Sequence, residues 1–274
     1  MWTWDDRLLW CPGCAAGLRA RRSTGVHLSI VPELRDDVLA RRFHRVVCHG
    51  CAAPIEAQRP LLHIDFERDH WVLVANTGEL GLWPAYEARL RDNVARVLGR
   101  GSPLMQELAG RLRVRLVFGH EELREKLLIW SAGLDDAVVE CLKLRVYAAD
   151  PALAAPGSRL LVDSYHDHAL DLLWFARAAD ARPARVLITP SAWLRDTDRD
   201  RAALAARFPE LFGGGFVSAA RLVAARSPAD DRLDLALRCT EQIAQAGQPA
   251  QRNVFAPRPR GRRQTILRGS GPVR

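Results

Sequence analysis

The feature that most constrains this chain is a set of four cysteines arranged as two C-x-x-C pairs. Cys11 and Cys14 form the first pair and Cys48 and Cys51 the second, which gives the spacing C-x2-C-x33-C-x2-C. Two residues between paired cysteines let both thiolates face one point, so each pair can bind one side of a metal ion. Two such pairs complete the tetrahedral four-cysteine site that Zn²⁺ favours in structural sites. The spacing therefore predicts one structural Zn²⁺ held by these four residues.

Two other kinds of site use similar cysteine pairs. A thioredoxin-like dithiol opens a helix within a βαβ unit, whereas AAGLRARR after Cys14 is a poor helix start and the Pro-Gly order is the reverse of that in thioredoxins. Zinc deaminases place an H-x-E motif upstream of P-C-x-x-C, but the H-x-E here, at 120–122, lies downstream of both pairs. The redox dithiol stays an alternative to the metal site.

The basic charge of the chain is concentrated near its C-terminal end. The formal net charge is +8, and residues 248–274 contain seven arginines and no acidic residue. The other 247 residues carry 33 basic and 32 acidic ones. Such a segment is expected to be disordered when unbound, and it could contact nucleic acid, contact a protein partner, or stay inert in solvent. The candidate contact residues are Arg258, Arg260, Arg262, Arg263 and Arg268.

Short helical and strand patterns alternate along the rest of the chain. Strands are predicted near 18–30, in FHRVVC, RVRLVF, SRLLVDSYH, LDLLWFAR and ARVLITP, and as a hairpin over 60–76. Helices are predicted in VPELRDDVLARRF, PAYEARLRDNVARVLG, SPLMQELAGRL, GHEELREKLLIWSAG, LDDAVVECLKLRVYA, DRDRAALAARF and GFVSAARLVAARS, and over 229–245. The predicted fold class is α+β: a zinc ribbon with an inserted short helix at 1–76, a mixed α/β helical body at 77–247, and a disordered Arg/Pro-rich tail at 248–274.

Two groups of residues near the predicted strands could carry chemistry. His63, Asp65, Glu67 and Asp69 recur at every second position and could form a metal site on one strand face. The alternative is a solvated outer face whose inner side is Leu62, Ile64 and Phe66. In YHDH, the pair His166 and His168 could likewise bind a metal, but a turn between strands explains it as well.

Charged and cysteine residues in the predicted helices have simpler interpretations. Asp135, Asp136 and Glu140 suit the start of a helix, where carboxylates stabilise free N–H groups. A charged helix surface with a Glu122–Lys126 pair is predicted for the preceding helix. The single cysteines are expected to be buried apolar residues, and the tryptophan before the first cysteine pair is expected to pack beside it. The charged helix residues are Glu121, Glu122 and Arg124 to Lys126. The single cysteines are Cys141 and Cys239, and the tryptophan is Trp10.

The N-terminal part resembles the bacterial CpXC family, named for its Cys-Pro-x-Cys motif. The matching stretches are CPGC, VHLSIVPELRDDVLARRFHRVVCHGC, PLLHIDF and VRLVFGHEELREKLLIWSAGLDDAVVECLKLRV, and the resemblance covers roughly residues 8–225. It implies a zinc-ribbon fold, supports the four paired cysteines as ligands and names no activity. His49 stands where the second motif usually has proline, and Ala15 and Ala52 stand where glycine commonly follows each pair. A residue with a Cβ resists positive φ there, although the turns should still form.

These observations favour one function and leave two alternatives. The chain has no apolar run of 18 residues, which predicts no transmembrane helix, and without a secretory signal a cytoplasmic location is expected. The leading hypothesis is a non-enzymatic interaction or adaptor protein within a bacterial complex. One alternative is a nucleic-acid-binding protein that uses the arginine-rich tail, and the other is a metal-dependent hydrolase built on the polar face near 63–70.

Overall fold

A computed structural model describes residues 4–23, 25–28, 30–99, 102–155, 157–177 and 183–224 of this chain. The predicted helix at 229–245, the tail and Cys239 lie outside the described residues. The strands are Trp4–Trp10 (β1), Gly17–Ser23 (β2), Gly25–His27 (β3), Arg45–Val47 (β4), Pro54–Glu56 (β5), Leu61–Asp65 (β6), His70–Ala75 (β7), Arg113–Phe118 (β8), Arg159–His166 (β9), Ala169–Phe175 (β10) and Arg185–Ile188 (β11). The α-helices are Glu33–Leu39 (α1), Trp83–Val97 (α2), Pro103–Arg111 (α3), His120–Ser131 (α4), Asp136–Ala149 (α5), Ser191–Arg199 (α6), Arg201–Arg207 (α7), Pro209–Gly213 (α8) and Ala219–Ala224 (α9).

Two small antiparallel hairpins carry the cysteine pairs. β1 pairs with β2, and β4 pairs with β5. Each cysteine pair lies in the turn that joins the strands of its hairpin. Between the hairpins the chain forms β3 and α1, so the inserted short helix predicted from the sequence is present. Glu33 and Asp36 lie in the first turn of α1, where the helix dipole favours negative charge.

A four-stranded mixed sheet in the order β3-β6-β7-β8 forms the centre of the fold. β3 is parallel to β6, β6 is antiparallel to β7, and β7 is parallel to β8. Leu61 and Val72 belong to a core cluster on one face with residues of α4, while Leu62 and Leu73 pack in a second cluster with residues of α2. The sheet joins strands from both sides of residue 76, and the domain division at that residue stays a prediction.

Helices α4 and α5 connect this sheet to a second one. β9, β10 and β11 form an antiparallel sheet in the order β11-β10-β9. α4 contacts β7 and β8 of the central sheet and also β9. Twelve of the fourteen residues of α5 are buried, so this helix lies inside the protein.

The mixed helix-and-strand architecture predicted from the sequence is confirmed. Two short helices, α6 and α8, lie in stretches for which no helix was predicted. Within the described part of the chain, no helix is long and apolar enough to cross a membrane. The cellular compartment stays a prediction.

Candidate metal centre

The first cysteine pair forms a tight turn at the end of the β1–β2 hairpin. The backbone N–H of Cys11 donates to the carbonyl of Ala16 at 2.9 Å, and the N–H of Ala15 donates to the carbonyl of Cys11 at 2.8 Å. The N–H of Gly13 donates to the Cys11 sulfur at 3.4 Å. These bonds fold the turn so that both cysteine side chains of the pair lie at the hairpin tip.

The second pair repeats the same turn at the end of the β4–β5 hairpin. The N–H of Cys48 donates to the carbonyl of Ala53 at 2.9 Å, and the N–H of Ala52 donates to the carbonyl of Cys48 at 2.8 Å. The N–H of Gly50 donates to the Cys48 sulfur at 3.3 Å. A Cβ at Gly50 would lie 3.1 Å from the Cys14 sulfur, so the two turns pack closely against each other.

Both turns require a left-handed backbone at the residue after the second cysteine. Ala15 has φ of 56° and Ala52 has φ of 57°. Glycine adopts this conformation freely, whereas a residue with a Cβ does so at a cost. The positive φ inferred from the sequence is thus present at both positions, and both turns form with alanine there.

The two turns bring four sulfur atoms into one cluster. The Sγ atoms of Cys11, Cys14, Cys48 and Cys51 all lie within 4.8 Å of one another. The Cys11 and Cys51 sulfurs are 3.5 Å apart, and so are those of Cys14 and Cys48. A disulfide needs about 2.05 Å, so the cysteines are free thiols. Four sulfurs about 2.3 Å from a central Zn²⁺ would be about 3.8 Å apart, which falls inside the observed range, so the donor set fits a tetrahedral metal.

The sulfurs of the cluster differ in how strongly they hold their protons. At Cys48 burial raises the pKa, but the backbone N–H groups of Cys51 and Gly50 outweigh it and lower the pKa to about 6. At Cys14 the N–H of Ala16 lowers the pKa, but the neighbouring sulfurs outweigh it and raise the pKa to about 12. Protons held within such a cluster must leave when a metal binds. Because all four positions are thiols, no position is left open for a substrate or water, as a catalytic metal would require.

Trp10 directly precedes the cysteine turn but is largely exposed, so the prediction that it packs against the turn is wrong. Its side chain is 65% exposed, and Leu8 on the same strand is 59% exposed. Both lie over Gly17 of β2, because a Cβ built there would be 3.4 Å from the Trp10 ring and 3.5 Å from Leu8. Val47, which precedes the second pair as Trp10 precedes the first, is also 65% exposed. An exposed apolar residue therefore directly precedes each cysteine pair, at the end of β1 and at the end of β4.

The predicted polar face near 63–70 has the opposite orientation. His63 and Asp65 are fully buried, while Leu62 and Ile64 are only half-buried. Asp65 accepts the backbone N–H groups of Glu67 and of the following residue, so it closes the turn after β6. The prediction of an exposed face is wrong for His63 and Asp65, because helices cover the sheet on both sides, whereas Glu67 in the following turn is exposed. The hydrolase hypothesis therefore loses the exposed site on which it rested.

The remaining sequence candidates have structural explanations. His166 ends β9, and His168 lies in the exposed turn to β10, where its Nδ1 is 3.1 Å from the Tyr165 hydroxyl. Cys141 is buried in α5, and burial raises its pKa to about 12. Asp135 caps α5 by accepting the N–H of the residue two positions on. Among the described residues, the four paired cysteines form the one group of His, Cys, Asp and Glu close enough to hold a metal.

A buried ionic network replaces the predicted charged surface of α4. Lys126 is 2% exposed and pairs with Glu140 at 2.9 Å, not with Glu122. Lys143 is equally buried and pairs with Glu125 at 2.7 Å and Glu140 at 2.9 Å. The predicted Glu122–Lys126 surface pair is therefore wrong, because the partners come from α5. One sequence signal could have indicated this network: these lysines are the only two in an arginine-rich chain.

The fold and the cysteine cluster define a mixed α/β protein with a four-thiol site that can hold a metal ion. The family model described as CpXC protein matches residues 9–143, just under half of the chain. That stretch includes both cysteine pairs and ends within α5, and over it the chain matches the CpXC family. No curated protein and no solved structure gives a significant match. The wider resemblance out to residue 225 stays a prediction.

Proposed function

We propose that this chain is a non-enzymatic interaction protein whose cysteine hairpins form a zinc ribbon around one structural Zn²⁺. The four cysteine sulfurs would supply all ligands, and the ion would lock the two hairpins together. Zinc suits this site because it favours tetrahedral thiolate coordination and needs no further ligand. A bound ion would stabilise the folded state, because the unfolded chain holds no preformed site.

The observation that carries the interaction function is the exposed apolar surface next to the cysteine cluster. Leu8, Trp10 and Val47 are each more than half exposed, and leaving such side chains in water costs about 1.5–3 kcal/mol each relative to burial. Leu8 and Trp10 lie together over Gly17; contiguous exposed apolar groups mark interaction sites, and tryptophan is enriched among residues that dominate binding energy. The metal-bound hairpins would present this surface to a protein partner.

The test is co-purification of the full chain from its native cells, compared among variants. Trp10→Ala should weaken the binding free energy of a specific partner by about 2 kcal/mol or more, so that this partner no longer co-purifies. Leu82→Ala is the matched control, because Leu82 is 57% exposed but lies at the start of α2. Identical sets of captured proteins for wild type and Trp10→Ala would contradict the interaction function. Loss of about one Zn²⁺ per chain from the purified protein, without any change in fold, would contradict the structural role of the metal.

Nucleic-acid binding is a second candidate, supported by exposed arginines on the same hairpin. Arg19 and Arg21 of β2 are exposed, and the Arg21 guanidinium lies 5.0 Å from the Trp4 ring centre. Exposed aromatic and basic side chains can stack on bases and pair with phosphates. The tail arginines at 258, 260, 262, 263 and 268, outside the described residues, would add phosphate contacts. Binding of single-stranded RNA should weaken steeply with salt and with deletion of 248–274; no binding at low salt would eliminate this candidate.

A further inference from the structure

One edge of the sheet formed by β9, β10 and β11 is covered by helix α4. The N–H of Val162 in β9 donates to a Glu125 carboxylate oxygen, and the carbonyl of Asp163 accepts from Arg124 at 3.0 Å. Glu125 and Arg124 belong to α4, so side chains of this helix take the place of a further strand beside β9. The backbone groups of Val162 and Asp163 are therefore closed to pairing with another chain.

The opposite edge of the sheet, β11, has no such cover among the described residues. The N–H of Thr189 donates to the carbonyl of Leu170 at 2.9 Å, and successive residues of an antiparallel strand face alternately toward and away from their neighbour. The N–H and carbonyl groups of Val186 and Ile188 therefore point away from β10. In the part of the chain that the structure describes, these groups have no hydrogen-bond partner, so β11 is an open edge strand.

The side chains on this open edge are apolar and exposed. Val186 is 45% exposed and Ile188 is 36% exposed. Val186 lies opposite Leu173 of β10, so both exposed side chains lie on the face of the sheet that contains the buried residues Leu161, Leu173 and Phe175. Natural edge strands are commonly protected by charged side chains, whereas an exposed apolar edge is a template for pairing with another strand.

The ends of β11 limit the length of a partner strand. Pro183 and Pro190 lie on either side of β11, and proline has no N–H to donate to a strand ladder. The charged residue of β11, Arg185, pairs with Asp150 at 2.9 Å. A partner strand can therefore form a short, largely apolar ladder centred on Leu187, but it cannot extend the pairing along a longer stretch.

A second copy of β11 is complementary to this edge. When two β11 strands lie antiparallel with a two-fold axis at Leu187, Val186 of each copy lies opposite Ile188 of the other. Both residues point their backbone groups outward, so each of these pairs can exchange two N–H···O=C bonds. The β-branched side chains of each pair then meet on one face of the joined sheet, which is a favourable cross-strand combination.

We propose that β11 is a dimerisation edge, on which a second copy of this chain docks and joins the three-stranded sheets of two copies into one. The contact is isologous, because the same strand serves both copies. Arg185 of each copy lies opposite Thr189 of the other, so this register brings no like charges together. The ladder is short compared with standard interfaces, and the dimer is therefore weak and reversible.

Analytical ultracentrifugation of the full-length chain across a concentration series tests this dimer. Wild type should pass from monomer to dimer with a dissociation constant on the order of 100 μM, as suits a short ladder. Val186→Lys places a cation opposite an apolar side chain and should weaken association by about tenfold or more. Val97→Lys is the matched control, because Val97 is also 45% exposed but lies at the end of α2, and it should dimerise like wild type.

Two double variants test the register of the pairing. Val186→Lys combined with Ile188→Lys places like charges opposite each other in both pairs and should leave the chain monomeric. Val186→Lys combined with Ile188→Glu places opposite charges there and should keep association within about tenfold of wild type. Both variants replace the same two exposed side chains with charged ones, and circular dichroism verifies that each is folded.

Three results would overturn the proposal. The first is a wild-type chain that stays monomeric up to about 1 mM, beyond which a contact of this kind has no measurable strength. The second is equal association of the two double variants, because the copies would then not pair through Val186 and Ile188. The third is a dimer that disappears when residues 248–274 are deleted, because the tail and not a second β11 would then occupy the edge.

Discussion

Two alanines hold the backbone conformation that the cysteine turns require. Ala15 and Ala52 each adopt a left-handed φ, which costs an L-residue roughly 1–2 kcal/mol. The cost persists because each alanine N–H closes its turn on a cysteine carbonyl. The sequence therefore keeps a small amount of strain directly next to the paired cysteines.

Glycine at these two positions should stabilise the hairpins. We expect Ala15→Gly and Ala52→Gly each to raise the free energy of unfolding by about 0.5–1 kcal/mol, since relief of strain exceeds the entropy that glycine adds to the unfolded chain. Ala16→Gly is the matched control, because Ala16 is not among the residues with positive φ, and it should destabilise. Urea unfolding of the metal-loaded protein measures all three. Equal effects of Ala15→Gly and Ala16→Gly would contradict this explanation.

The metal site should depend on the paired cysteines and not on the single one in α5. We expect Cys14→Ser and Cys51→Ser each to reduce bound Zn²⁺ from about one per chain to near zero, because a structural zinc site needs all four thiolates. Cys141→Ala is the control, since Cys141 is buried in the core away from the cluster, and it should retain full metal content. Elemental analysis of purified protein measures the metal. A fully loaded Cys14→Ser variant would show that the sulfur cluster does not bind as a unit.

At the scale of elements, α4 and α5 are held together by buried charge. Glu140 accepts from Lys126, from Lys143 and from the backbone N–H of Ala219, so one carboxylate joins both helices to the start of α9. Burial lowers the pKa of Lys143, but the adjacent carboxylates outweigh it and hold the pKa above its usual value. Both lysines stay charged inside the core because each has two carboxylate partners.

Removing one charged residue of this network while leaving its partner in place should strongly destabilise the protein. We expect Lys143→Met to lower the free energy of unfolding by about 3–5 kcal/mol, because it leaves Glu125 with an uncompensated buried charge. Arg42→Met breaks a pair on the surface and should cost less than about 1 kcal/mol. Denaturant unfolding of both variants gives the comparison. Similar losses for the two would show that the buried pairs contribute no more than exposed ones.

Element positions were largely predictable from the sequence, but their buried faces were not. The alternation in LLHID located β6 correctly, yet it cannot tell which side of a strand faces the helices. His63 and Asp65 turned inward because α4 covers that face, a fact set by residues more than 50 positions away. The many charged residues of α4 likewise led to the prediction of an exposed surface. Their partners in α5 could not be identified from spacing along the sequence. The cysteine cluster was predictable because the spacing within each pair and the geometry of its turn are encoded locally.

At the scale of the whole molecule, buried histidines make stability depend on pH. Burial, as the largest cause, lowers the pKa of His44 and of His63 to about 3 and that of His70 to about 4. These values lie below the unfolded value of about 6.5. The neutral rings therefore stabilise the fold fully above pH 6.5 and progressively less as the pH falls toward the folded values, because only the unfolded chain takes up protons in that window.

We expect stability to fall between pH 7 and pH 5, by at most about 2 kcal/mol for each of these rings. Urea unfolding of wild type and His63→Leu at both pH values isolates the contribution of the His63 ring to the pH dependence, because the four cysteines are the same in both proteins. The variant should lose about 2 kcal/mol less than wild type. His166→Gln alters an exposed histidine and should match wild type. An identical pH dependence in wild type and His63→Leu would contradict the role of burial.

The chain uses arginine almost everywhere on its surface and keeps lysine for its interior. Lys126 donates to Glu140 at 2.9 Å and to the carbonyl of Val217 at 2.7 Å, and it lies 3.4 Å from Asp136. A compact ammonium can meet three acceptors that do not lie in one plane, whereas all the donors of an arginine guanidinium lie in its plane. Both lysines are 2% exposed, so the folded protein offers neither ε-amine to solvent.

The rate at which the two lysine amines are chemically modified should therefore report directly on opening of the α4–α5 core. We expect a succinimidyl ester to leave Lys126 and Lys143 unmodified in the folded protein and to modify both in urea, as followed by peptide mass spectrometry. Because both amines sit in one network, they should become reactive together and only through large-scale opening. In the destabilised Lys143→Met variant, Lys126 should react faster than in wild type. Rapid modification of either lysine in the folded wild-type protein would show that the helices open locally and that the network does not hold the core closed.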